Sequence, residues 1–122
     1  MGREDFLELH TRGWADGDAS AIMRALADDY VFDNPRVGNI TKPQFEAYFR
    51  EFRKMVEAHR TGSASDKFMT FEDLVTADDG STRTGWVWWR IPGTPLQGAG
   101  LTKTTDAGVV LHRSAFYAAP QW

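Results

Sequence analysis

Two of the three histidines in this 122-residue chain stand where an imidazole could meet a ligand. His10 shares a helical face with Leu7 and Trp14, so its ring is expected to point inward. Such a ring either satisfies a backbone carbonyl in the core, or donates to a ligand carbonyl and accepts its proton. His112 alternates with Val110, Ser114 and Phe116 on one strand face, where it either caps a polar cavity through water or serves as an acid/base. Asn34 lies on the strand face of Tyr30 and Phe32, directly before Pro35. It either orients a ligand oxygen or performs turn chemistry. If His10 and His112 share a cavity they form the available acid/base pair near neutral pH, although neither has an orienting carboxylate close in sequence. Asp33 should point away from that cavity. Asp73, on the face of Met69, Phe71 and Val75, is either a pocket acid or a solvated strand residue.

Other chemistries lack their residues. His10, His59 and His112 have no metal-ligand spacing, so no metal site is expected. Gly98-Ala99-Gly100 falls in a strand with no helix after it, unlike a phosphate loop. There is no nucleophile elbow. The remaining options are cofactor-free proton transfer and plain ligand capture.

The elements that must position these residues can be read in order. A first helix is predicted over Arg3–Asp16, closed by Gly17 in a left-handed conformation. Asp18 then caps a second helix, Ala19 to about Asp28, with Ile22, Ala25 and Leu26 inward. Tyr30–Asn34 reads as a strand ended by Pro35 and Gly38. Thr41-Lys42-Pro43-Gln44 is a capping-box start for a third helix running to about Arg60, whose apolar stripe includes Phe45, Tyr48, Phe49, Phe52, Met55 and Val56. Gly62–Ser65 is a polar link. Four strands follow: Phe68–Thr76, Arg83–Ile91, Gln97–Thr104 and Val109–Tyr117. Asp79-Gly80 and Asp106-Ala107-Gly108 mark two hairpins between them, and the prolines at 92 and 95 interrupt the run. Helices followed by hairpin-linked strands define an α+β domain over residues 1–122 with a mostly antiparallel sheet.

Bulk properties bound the partners. A net charge of −3 offers no basic stripe for nucleic acid. Zero cysteines exclude disulfides and fit a reducing, cytoplasmic setting. No apolar run suits a signal peptide or a membrane span. Gly85-Trp86-Val87-Trp88-Trp89 is apolar on both faces, and a homodimer packed sheet to sheet is expected to cover the outer one.

Helix–Gly-Asp–helix–Asp-Asp–strand–Asn-Pro, with Gly108-Val109-Val110-Leu111-His112-Arg113 at the far end, resembles the nuclear transport factor 2-like superfamily. Within it the chain is similar to the ketosteroid isomerase and SnoaL-like polyketide cyclase branch. The resemblance spans nearly the whole chain. It implies a cone-shaped sheet around three N-terminal helices, an internal apolar pocket and, usually, a dimer. In the isomerases an Asp precedes the turn proline, where this chain has Asn34. A Tyr seven residues before the helix-closing glycine corresponds to His10, and an acid on the penultimate strand falls near Ala99. In the cyclases a terminal Glu-His-Trp-Asp run corresponds to Leu111-His112-Arg113-Ser114, which keeps the histidine and loses the acid. These departures argue against 3-oxosteroid isomerisation.

The resulting expectation is a protein that holds a small hydrophobic molecule bearing a carbonyl or hydroxyl. As an isomerase, cyclase or dehydratase it would use His112 as acid/base, His10 as polariser or partner and Asn34 as orienting donor, with no cofactor. Trp14 and Phe32, then Phe45, Phe49 and Phe52 of the third helix, would wall the pocket. Trp88, Leu101, Ser114 and Phe116 would complete it from the sheet. The alternatives are a non-catalytic binding or dimerisation module and, more remotely, a subunit docked through its tryptophan-rich sheet.

Overall fold

A computed structural model describes residues 1–62 and 66–118; most of the polar link, residues 63–65, lies outside that range. Helix α1 (Arg3–Asp16) starts with Glu4 and Asp5 in its first turn, and the Asp5 carboxylate accepts from the Gly2 N–H. It stops at Gly17, whose φ of 67° is left-handed. Helix α2 (Ala19–Ala25) is capped by the Asp18 carboxylate, which accepts from Ala21 N at 3.1 Å. The two helices meet closely at Gly13, where a Cβ would come within 2.7 Å of Ile22.

Strand β1 (Leu26–Asn34) begins two residues before the end predicted for α2. The reason is tertiary: Leu26 pairs with Val109, and its carbonyl accepts from the Lys42 ammonium at 2.9 Å. A short strand β2 (Gly38–Thr41), not foreseen, folds back on β1 with Ile40 opposite Phe32. Helix α3 (Lys42–His59) carries the expected capping box, with the Gln44 carbonyl oxygen accepting from Thr41 N. It buries Phe45, Phe49 and Val56 completely, each worth about 2–3 kcal/mol relative to exposure.

Strands β3 (Thr70–Asp78), β4 (Arg83–Arg90), β5 (Gln97–Thr105) and β6 (Gly108–Ala118) complete one open six-stranded sheet in the order β2-β1-β6-β5-β4-β3. Every pairing is antiparallel except β1 with β6. The fold is α+β, a cone of sheet around three helices. β3 starts later than predicted and bulges between Glu72 and Val75, where Asp73 adopts φ 56°. The bulge resets the alternation: Met69, Phe71 and the half-exposed Leu74 line the cavity side, while Asp73 and Val75 face solvent. Asp73 is therefore solvated and not a pocket acid.

Candidate active site

The inner face of the sheet forms three rows across the strands. Gly85, Thr102, His112 and Phe32 are successive partners in the first, Val87, Gly100 and Ser114 in the second, and Trp89, Gly98 and Phe116 in the third. Glycines leave hollows in all three. At Gly98 the Trp89 indole takes the space, since a Cβ there would lie 2.7 Å from the ring. At Gly100 the space stays open, with His112 Nε2 the nearest atom at 3.5 Å from a hypothetical Cβ. Helix α1 closes the hollow with Leu7, His10 and Trp14, and α3 with Tyr48 and Phe52.

The cavity so formed encloses about 630 Å³, its mouth included. It is narrow: the centre of a water molecule has only about 50 Å³ to move in, a few waters' worth at roughly 10–15 Å³ each. Its walls contain no Asp, Glu, Lys or Arg. Among the described residues no group of three His, Cys, Asp or Glu side chains could hold a metal ion.

His10, His112 and Asn34 all line this cavity. The two imidazoles meet edge to face with centroids 5.0 Å apart. His10 is 2% exposed, and burial pushes its pKa down from 6.5 to about 3. Its Nε2 accepts a hydrogen bond from the Trp14 indole N–H at 3.2 Å. A neutral ring that accepts at Nε2 carries its proton at Nδ1, so His10 is an N–H donor. His112 is also held neutral, first by burial and then by its neighbour His10. Its Nδ1 is sealed from solvent and has no partner among the described residues. Sealing an unpaired N–H costs more than sealing a bare nitrogen that keeps only a lone pair. The proton therefore sits at Nε2, above the opening over Gly100. Both rings thus offer a donor, and neither is a strong base.

Asn34, 2% exposed, spends its carbonyl oxygen on the turn, accepting from Arg36 N at 2.8 Å. Only its NH₂ remains to address the cavity. Ser114 faces the cavity and is buried. Tyr48, whose hydroxyl pKa burial pushes up to about 12, stays protonated at the wall.

Four of the expected wall residues lie elsewhere. Trp88 is 51% exposed on the outer face, and Leu101 shares that face opposite Trp86. The parity of β4 is set by Gly85, Val87 and Trp89 facing inward, which turns Trp86 and Trp88 outward. Phe45 and Phe49 form a layer behind the wall, against the Trp14 ring. Trp14, Phe32, Phe52, Ser114 and Phe116 do line the cavity. The sequence reading missed Thr11, Tyr48, Val87, Trp89 and Thr102 as wall residues. Tyr48 was available from its helical spacing to Phe45 and Phe52, and β4 from the inward glycine at 85.

A cone of mostly antiparallel sheet over three helices, with an apolar cavity between them, defines an α+β cone fold. The SnoaL-like domain family matches residues 7–118, and the chain belongs to that family. No match is found among curated proteins. Among solved structures, a SnoaL-like protein of unknown function from Burkholderia thailandensis is 20% identical, covering 95% of each chain with a TM-score of 0.62. TerC co-crystallised with polyporic acid is 14% identical over 93% of this chain and 90% of its own, at a TM-score of 0.64. An LEH-like epoxide hydrolase from M. tuberculosis is 18% identical over 92% and 80%, at 0.61. At these identities the likeness is one of fold.

Proposed function

We propose that this protein captures a small, largely apolar molecule through a carbonyl or hydroxyl oxygen that accepts hydrogen bonds from the two imidazoles. The observation that carries this reading is the pair of neutral histidines, each left with an N–H donor, in a cavity with no charged side chain. An acceptor oxygen relieves both donors, while the aromatic wall takes the rest of the molecule. The crystallisation of TerC with polyporic acid supports ligand capture by this fold.

Binding is favoured over acid/base catalysis by the same geometry. A general base works best with a pKa near the working pH, and His10 is pushed down to about 3. The cavity wall has no carboxylate to orient or recharge either ring. An isomerase, cyclase or dehydratase built here would rely on His10 and His112 to polarise a carbonyl, with Asn34 NH₂ as a third donor.

The test is a matched pair of ligands. Acetophenone should stabilise the protein against heat, and bind, about tenfold better than ethylbenzene, as one to two net hydrogen bonds require. His112→Phe, once shown to fold by circular dichroism, should abolish that preference while still binding ethylbenzene. Equal binding of the two ligands by the native protein would refute the reading.

Two further features belong to this proposal. Trp86, Trp88, Tyr117 and Val75 are all more than half exposed on the outer face, and a second copy of the chain is the proposed cover. Two pairs of opposite charge on that face close within the chain, Arg90 with Glu72 and Arg113 with Asp33, which limits repulsion between two copies. Among the described residues no helix is long and apolar enough to cross a membrane; the absence of cysteine supports a cytoplasmic setting.

A further inference from the structure

The cavity shares walls with two surface grooves, and the charges at the two are arranged differently. The first groove borrows Leu7, Thr11 and Leu74 from the cavity and interleaves Glu4 and Glu8 with Arg12 and Arg83. Arg83 lies 3.6 Å from Asp78. The second groove borrows Asn34, Tyr48, Phe52 and Phe116, and its cation is Arg36.

Arg36 is seated at that mouth by the chain itself. Its backbone N–H donates to the Asn34 side chain, and Val37 N donates to the Asn34 carbonyl, so a residue inside the cavity fixes the turn that carries the guanidinium. The guanidinium lies over the Phe116 ring at 5.3 Å from its centroid. Phe116 is itself cavity wall. Among the described residues no carboxylate stands within ion-pair distance of Arg36. Glu51 lines the same groove without reaching it.

We infer that the ligand is an amphipathic anion, whose apolar body fills the uncharged cavity and whose carboxylate, or similar planar anion, sits on Arg36 at the mouth. The inference rests on the cavity being a ligand site. A cation stacked on an aromatic wall, with its N–H fork unspent, suits bidentate capture of a carboxylate. An anion could not be drawn inside, where no side chain would neutralise it. The cavity and its rim therefore select for a molecule with one charged end.

The experiment compares 3-phenylpropionate with 3-phenylpropan-1-ol by calorimetry at low salt, on the native protein and on Arg36→Gln, Glu51→Gln and His112→Gln. The native protein should prefer the carboxylate about fivefold, and the preference should fall in 0.5 M NaCl, as expected for a rim ion pair. Arg36→Gln should abolish the preference, by weakening the carboxylate more than the alcohol. Glu51→Gln should increase it by removing a repelling charge. A preference for the alcohol overturns the inference and leaves the cavity reading standing. So does a carboxylate preference that survives Arg36→Gln and disappears in His112→Gln, which would place the anion among the imidazoles. Failure of both probes to bind at millimolar concentration overturns the inference together with the cavity reading beneath it.

Discussion

Acid should destabilise this protein through its two cavity histidines, in a pH window that surface carboxylates do not share. Burial lowers the His10 pKa from 6.5 to about 3 and moves His112 in the same direction. A base whose folded pKa is depressed binds its proton more readily in the unfolded chain. Stability is therefore complete above the unfolded value and is lost as pH falls below it, until the folded value is reached. His10 contributes a slope that approaches about 1.4 kcal/mol per pH unit as pH falls below about 6, and His112 acts in the same sense. From pH 7 to 4.5, His10 alone should remove about 3 kcal/mol, a large part of the roughly 5–15 kcal/mol typical of a domain. Asp78, held down to about 2 chiefly by its hydrogen bond from Arg3, does not enter until lower pH. Urea unfolding at pH 7, 6, 5.5, 5 and 4.5 measures the slope. In His10→Gln, whose side-chain oxygen can still accept from the Trp14 indole, the slope should fall by about 1.4 kcal/mol per pH unit. An unchanged slope in that variant would refute the reasoning, because His10 would then not be buried and neutral.

Four other outcomes follow from the same geometry. Gly100→Ala should fold normally, since its methyl meets only ordinary contacts, and should weaken acetophenone binding by filling the space over His112 Nε2. Gly98→Ala, whose Cβ would collide with the Ala115 carbonyl oxygen, should cost about 3 kcal/mol or more, seen as a melting point lower by about 10 °C. Nitrogen NMR should find His10 protonated at Nδ1 and bare at Nε2; Trp14→Phe, which removes the indole donor, should release that tautomer and cost about 1 kcal/mol, and a protonated Nε2 in the native protein would contradict the assignment. Trp86→Lys with Trp88→Lys should convert a dimer to a monomer in sedimentation without changing ligand binding, whereas a native monomer would dismiss the second copy as the cover of that face.

Much of the local structure was legible because it depends on near neighbours. Gly17 closes α1 through its left-handed backbone, and Thr41 with Gln44 starts α3 through a reciprocal hydrogen bond. The alternation of β1 and β6 brought Phe32, Asn34, His112 and Ser114 to one side, as expected. The failures occur where a distant partner decides. α2 gives up Leu26 because Val109 pairs with it. β2 holds a single buried apolar residue, Ile40, too weak a signal without β1 beside it. The bulge at Asp73 reverses the parity of β3, and nothing in the alternation of Met69, Phe71, Asp73 and Val75 announces it.

The site divides the same way. By itself the sequence determined which faces carry the histidines and that the helix caps and hairpins form an α+β domain. These are matters of spacing and of residue type. The tertiary structure decided that Trp89 and not Trp88 faces the cavity, because strand parity is set by the register with β5. It decided the proton positions on His10 and His112, because a tautomer is chosen by what the other ring nitrogen meets. It also gave the Asn34 carbonyl oxygen to the turn that carries Arg36, leaving its NH₂ for the cavity. Charge state and hydrogen-bond direction are properties of surroundings, and the surroundings exist only once the sheet has closed over the helices.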